Sequence, residues 1–300
     1  MTQNRKYDIG FIILQYGRPD LTFDCIKSIQ ENVQDATKLI VVVDNCSPDD
    51  SADQIRNAFA DSQEIVLLQT EQNMGFARGN NVGYEYAREK CNFICILNSD
   101  VMLTQKDFWE ILKNSYKENQ FALAGPYIYL PNMQQSETLM PEIQSYAVEK
   151  KRLKKKKLYA RLAHLGFNPL REKLGNWKNS GKQIKIDEVP LHTSHENIVL
   201  NGCCLIYTPV YMERFEEAFD PRTFFYGEEN LLFLKVRQAG MKTYYESGLK
   251  VEHLKFASTQ SAMASRQKTC FQWDHTVKAQ ELLVETLEEM NQRKESKRSQ

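Results

Sequence analysis

The chain has 300 residues, 42% of them apolar and 26% charged, which is enough to bury a sizeable core and excludes a disordered protein. Its 39 basic and 39 acidic side chains cancel, so no global field recruits nucleic acid or repels a membrane, and any electrostatic function belongs to local patches. The seven cysteines are odd in number, form no C-x-x-C pair and mostly lie inside apolar runs, which points to a reducing, cytoplasmic compartment.

The N-terminus, MTQNRKYDIGFIIL, lacks a small-residue cleavage site, and nowhere do about eighteen apolar residues follow one another. Neither export by a signal peptide nor a membrane span is expected. From residue 7, short β-rich apolar runs alternate with helical patterns: YDIGFIIL, RPDLTFDCIKSIQEN, KLIVVVD, DDSADQIRNAFA, EIVLLQ, FARGNNVGYEYAREK and NFICILN. Strands that are apolar on both faces and separated by helix-length segments predict a mostly parallel sheet covered on both sides. Such α/β folds bind ligands at the carboxyl ends of their strands, which singles out Gln15 and Tyr16, Asp44 and Asn45, and Asn98 to Asp100.

In VVVDNCSPDDS, capping of the next helix accounts for Ser47 or Asp49 but not for Asp44. An acid at the end of an apolar strand is costly unless it meets water or a ligand donor such as a ribose hydroxyl or a base N–H. NMGFARGNNVGYEYA carries Gly75, Gly79 and Gly83 at intervals of four, matching neither G-x-G-x-x-G nor a P-loop. Its glycines suit a turn and a close helix-to-sheet contact, and its helix start beside Arg78 and Asn80 suits a diphosphate.

Residues 131–196 are polar, basic and weakly periodic, and hold the run EKKRLKKKKLYARLAHLGF. We read them as an insertion or flexible arm within one domain. A β-rich pattern resumes at NIVLNGCCLIYTP, where Gly202 allows either a strand bulge or a close approach of backbone to ligand. FFYGEENLLF pairs Glu228 with Glu229 at the expected start of a helix, where acids also suit the macrodipole. The C-terminal DHTVKAQELLVETLEEMNQ is helical in pattern, with Val277, Leu282, Leu283 and Leu287 on one stripe.

Five of these segments, VVVDNCSPDDS, NMGFARGNN, LNSDVML, FDPRTFFYGEENLLFLKVRQAG and VEHLKFAST, resemble the family 2 glycosyltransferases in order and spacing. They look like the bacterial branch of rhamnosyl- and galactosyltransferases of surface-polysaccharide synthesis. The resemblance covers residues 7 to about 128 and about 197 to 258. It implies a GT-A fold, Rossmann-like with a mostly parallel central sheet, over residues 1–260. Residues 131–196 form the basic helical insertion of this domain, and 261–300 a C-terminal helix and tail.

The resemblance also implies roles. Gln15, Tyr16 and Asp44 hold the nucleoside base, Asn73, Gly75, Arg78 and Asn80 lie in the segment lining the ribose and diphosphate, and Asn45 and Ser99 belong to the same donor-binding set. Asp100 is similar to the last acid of the D-x-D motif, which binds Mg²⁺ or Mn²⁺ bridging the diphosphate, and His253 aligns with a histidine that can complete the metal site. One or two protein carboxylates suffice there, because phosphate oxygens and water fill the remaining positions. Asn98 replaces the first acid of the motif, which weakens the cation site when nucleotide is absent. Glu229 takes the place of the general base on the acceptor hydroxyl, with Glu228 before it, and Leu231 stands where the family has a third acid.

The activity so implied is inverting transfer of a hexose from a nucleoside-diphosphate sugar to a lipid-linked polysaccharide acceptor. Two rivals are a binding module of this fold that has lost turnover, motivated by Asn98 and Leu231, and a nucleotide-dependent oxidoreductase. The lack of a glycine fingerprint after the first strand disfavours the latter. The basic run at 150–167 beside an amphipathic stretch suits an anionic membrane at the inner face of the plasma membrane. It is poor in interleaved aromatics, and no nucleic-acid partner is expected.

Overall fold

The computed structural model describes residues 5–137, 140, 142–166, 191–255 and 265–298. Parts of two expected features, the insertion over 167–190 and the end of VEHLKFAST at 256–259, lie outside the described residues.

Strand β1 (Tyr7–Gln15) runs parallel to both neighbours, β2 (Lys38–Asp44) and β4 (Cys91–Asn98), with β3 (Ile65–Gln69) outside β2. Side chains alternate across a strand, so Ile9, Phe11 and Ile13 pack on one face with Cys25, Ile26 and Ile29 of helix α1 (Pro19–Asn32). Ile12 on the other face packs with Ala77, Tyr84 and Ala87 of helix α3 (Gly75–Arg88). Helix α2 (Ser51–Ala58) also covers the first face, through Ile55. The expected close contact of α3 with the sheet is present: a Cβ on Gly83 would lie 2.5 Å from Ile12 Cγ2, and one on Gly79 2.6 Å from Leu14 Cδ1.

Beyond β4 the sheet becomes mixed. After β5 (Val101–Leu103), helix α4 (Phe108–Asn119), β6 (Leu123–Leu130) and the short β7 (Gln135–Ser136), the chain enters helix α5 (Tyr146–His164). Then come β8 (His195–Glu196), β9 (Cys204–Tyr207), α6 (Pro209–Arg214), α7 (Glu228–Gln238), β10 (Thr243–His253) and α8 (Ser265–Arg298). The sheet order is β3-β2-β1-β4-β9-β6-β10-β5, with β7 on β6 and β8 on β10. Strand β9 is antiparallel to both β4 and β6, while β10 is parallel to β6 and antiparallel to β5. The parallel arrangement thus belongs chiefly to the N-terminal half.

Helix α5 is not a free arm. Tyr146 near its start donates to Glu288, and His164 at its end meets Asp274 at 2.8 Å, so α5 and α8 run antiparallel. Glu149, buried in this seam, is satisfied by Arg152 at 2.6 Å and Gln280 Nε2 at 2.9 Å. On the far side of α8, Leu282 and Leu283 pack with Leu231 and Leu234 of α7.

Candidate active site

The side chains singled out above collect at one edge of the sheet, where β1, β2, β4 and β10 end and β9 begins. The β1–β2 register sets Gln15 opposite Asp44. Both Asp44 oxygens are taken by Ser47, one accepting its hydroxyl at 2.5 Å and the other its N–H at 3.1 Å. Of the two capping candidates, Ser47 and Asp49, it is Asp49 that meets the helix: α2 begins at Ser51, whose N–H it accepts at 3.1 Å. Ser47 also accepts the Gly17 N–H at 3.0 Å, which fixes the turn after β1 where Tyr16 is exposed. Asp44 is buried, and with two of its about four acceptor sites used by Ser47 it keeps room for further N–H or O–H donors.

Buried Asn45 pins the next loop. Its amide donates to Asn73 Oδ1 and to the Gly75 carbonyl, each at 3.1 Å, and its Oδ1 accepts the Met74 N–H at 2.9 Å. Gly75 has φ +75° and presses on Phe224, whose carbonyl would lie 2.5 Å from a Cβ there and accepts the Phe76 N–H at 2.7 Å. Arg78 Nε donates to the Pro221 carbonyl at 2.7 Å, and Asn80 is buried with its amide on the Phe76 carbonyl and its Oδ1 without a hydrogen-bond partner among the described residues. Ser99 sits partly buried in the turn between β4 and β5.

Pairing of β5 with β10 sets Val101 against His253, which brings Asp100 to the imidazole: Asp100 Oδ1 lies 3.3 Å from Nε2. A second carboxylate, Glu137, lies 3.5 Å from Nδ1 and accepts Lys255 Nζ at 2.8 Å. Glu137 and His253 also cluster with the Cys203 sulfur, their ligating atoms all within 4.8 Å of one another. Burial alone would lower the imidazole pKa, but contacts with Asp100, Cys203 and Glu137 push it up to about 11. Burial likewise raises the Cys203 thiol to about 11. Burial also works against ionised Glu137, yet His253 and Lys255 hold its carboxyl below the ordinary range. The Asp100 carboxylate and the His253 imidazole form an oxygen and nitrogen donor set that fits Mn²⁺, with Mg²⁺ the harder alternative.

Glu228 and Glu229 open helix α7, as expected. Burial, and then the neighbouring Glu229 charge, raise Glu228 to about 8, and its Oε1 is buried without a hydrogen-bond partner among the described residues. Burial also raises Glu229, against the opposing pull of its own and the Gly202 backbone N–H. Gly202 is a close approach: a Cβ there would lie 2.6 Å from Glu229 Oε1. The next residue, Cys203, accepts the Asn98 N–H on its carbonyl at 2.9 Å and turns its sulfur to His253. Two consecutive residues thus join the Glu229 carboxylate to the Asp100 cluster. A separate cleft of about 510 Å³, lined by Gln120, Asn197, Val210, Arg237 and Lys242, opens where β6 and β10 begin and is no part of this edge.

Sequence reasoning missed two contributors. Ser47 was visible only as a cap, and Glu137 lies in SETL, just past the point where periodicity stops, with no motif around it. The family pattern singled out Asp100, His253 and Glu229 from their neighbours.

The model of the family described as glycosyl transferase family 2 matches residues 11–174, more than half of the chain, and the chain belongs to this family. The match runs into the basic segment and ends before α7, so Glu228 and Glu229 lie outside it. No curated protein matches the chain in sequence. Among solved structures, S. aureus TarS 1-349 is similar with a TM-score of 0.53 at 15% identity, over 82% of this chain and 60% of that one. The same TarS fragment in complex with UDP-GlcNAc gives 0.54 at 15% identity over 86% and 62%, and S. aureus TarS gives 0.53 at 14% over 82% and 36%. The chain thus spans about 60% of the shorter of these structures, and the likeness is one of fold, the GT-A fold.

Proposed function

We propose that this family 2 glycosyltransferase catalyses a single inverting displacement, in which Glu229 takes the proton from an acceptor hydroxyl as its oxygen attacks the anomeric carbon of a nucleoside-diphosphate hexose. The observation that carries this reading is the junction at residues 202–203, with Glu229 against Gly202 and the Asp100–His253 pair against Cys203. A raised carboxyl pKa suits a general base, since it brings proton affinity closer to working pH. Gln15, Tyr16, Asp44 and Asn45 bind the base, and Asn73, Gly75 and Ser99 the ribose and diphosphate. Asp100 and His253 hold Mn²⁺ or Mg²⁺. When bound, the cation neutralises charge on the departing diphosphate.

UDP sugars are the first donors to test, because the similar TarS structure is a complex with UDP-GlcNAc. We place the hexose acceptor among lipid-linked surface glycans. The outer face of α5 supports this: Lys151, Lys154, Lys155 and Arg161 are exposed there beside Leu158 and Leu165, at 54% and 67% exposure. No described helix is long and apolar enough to cross a membrane, so contact with an anionic inner leaflet is peripheral in this reading. Helix α8 ties that face to the base, since Ala279 abuts Gly227 and His275 stacks on Phe224 at 4.9 Å.

The test is release of nucleoside diphosphate from UDP, TDP and GDP hexoses with and without Mn²⁺, paired with thermal shifts by the free nucleotides. Metal-dependent release that stops in Glu229→Gln supports the enzyme. Tight nucleotide binding without release from any donor favours the binding module suggested by Asn98 and Leu231. The second of these departures has another use: Leu231 is buried in the packing of α7 on α8.

A further inference from the structure

Glu137 reaches the edge because β7 folds back on β6. Ser136 pairs with Tyr129, the Glu137 N–H donates to the Ile128 carbonyl at 2.9 Å, and parallel pairing sets Tyr129 beside Glu252, one residue before His253. The carboxylate is then divided between two partners, Oε1 taking Lys255 Nζ at 2.8 Å and Oε2 facing His253 Nδ1 at 3.5 Å. Both Glu137 Oε2 and His253 Nδ1 are buried, and among the described residues neither has a hydrogen-bond partner, so each is the nearest polar group the other can use. Asp100 lies at the other ring nitrogen, Nε2.

We propose that Glu137 is a positioning residue for the cation site: when a cation takes the place of the Nε2 proton, Glu137 accepts the remaining Nδ1–H and holds the ring with Nε2 toward Asp100. This rests on the reading of Asp100 and His253 as cation ligands. The two ring nitrogens point apart, so Glu137 acts through the imidazole. A carboxylate behind a metal-ligating histidine fixes both tautomer and ring orientation, and its loss weakens metal binding by about 10- to 100-fold.

The test is Mn²⁺ binding to the full chain in the presence of UDP, read from the free-ion paramagnetic resonance signal without turnover. Glu137→Gln is expected to weaken Mn²⁺ about 10- to 100-fold, Glu137→Asp to recover part of the loss, and UDP binding without metal to stay unchanged. Imidazole ¹⁵N shifts of the unmutated chain loaded with Mg²⁺ and UDP are expected to show His253 protonated at Nδ1, a readout that does not depend on a variant folding. If Glu137→Gln binds Mn²⁺ like the unmutated chain while Asp100→Asn does not, the positioning role is lost and the cation site stands. If Asp100→Asn and His253→Ala also bind normally, the cation site itself is elsewhere and both readings fall. A proton on Nε2 overturns the proposal whatever the variants do.

Discussion

A Cβ on Gly202 would stand 2.6 Å from Glu229 Oε1, so the start of β9 leaves room for this carboxylate only because residue 202 has no side chain. The contact sets where Glu229 points. Gly202→Ala is therefore expected to push the carboxylate aside and cut kcat about a hundredfold, the cost of roughly 1 Å of misplacement. Initial rates of UDP release, with thermal unfolding as a control for folding, check this. An alanine variant with normal kcat would show that Glu229 is not positioned there for proton transfer.

Glu229→Gln is expected to lower kcat about a hundredfold or more while thermal shifts by UDP with Mn²⁺ stay as they are. Because burial raises its pKa above the ordinary 4.5, kcat should climb with pH along a limb whose midpoint lies above that value. A limb at or below 4.5, or one that survives in Glu229→Gln, assigns the base to another group.

Glu228 carries the clearest linkage. Its folded-state pKa, about 8, exceeds the ordinary 4.5, so the fold favours the neutral form and loses stability as pH rises between these values. Glu228→Gln removes the titration. Relative to the unmutated chain, its unfolding free energy should be nearly unaffected by this term near pH 4, gain steadily toward pH 8 and level off above. Urea unfolding at several pH values measures it, and a gain that is flat with pH refutes the burial argument.

Asn45 joins the end of β2 to the loop before α3 through Asn73, Met74 and Gly75. Asn45→Ala strands buried partners and should cost about 2 kcal/mol in urea unfolding. It should also weaken UDP binding, since the loop it holds packs against Phe224. Unchanged affinity for UDP would separate this loop from the nucleotide.

Replacing Lys151, Lys154, Lys155 and Arg161 together by alanine should weaken binding to vesicles containing phosphatidylglycerol. At about 1 kcal/mol for each of the four basic side chains near the surface, the loss is about a thousandfold. Hydrolysis of a soluble donor should continue at the normal rate. Equal sedimentation of both proteins with anionic vesicles would remove α5 from the proposed membrane contact.

Much of the N-terminal half was legible because each element there satisfies a local rule. Apolar runs such as KLIVVVD appear as strands over the expected residues, and the glycines of α3 sit where helix meets sheet. The C-terminal helix was legible only from its apolar stripe, because its ends extend as a polar and charged helix to Ser265 and Arg298. That α5 and α8 pair was hidden, since the bonds joining them, Lys156 to Gln280 and Lys157 to Glu281, link residues 124 apart in the first case and similarly distant in the second.

By itself, the sequence determined an alternating α/β chain, a set of polar residues at strand ends, and the register of motifs that marks Asp100, His253 and Glu229. Those signals are local, written in hydrophobic period, turn residues and short spacings. Only the tertiary structure decided that β9 enters antiparallel between β4 and β6, and that Gly202 and Cys203 touch Glu229 and His253 respectively. It also decided that Glu137 stands behind the imidazole. These depend on which strand pairs with which, and pairing is chosen by burial and hydrogen bonding over the whole sheet, a quantity that no short window of residues contains.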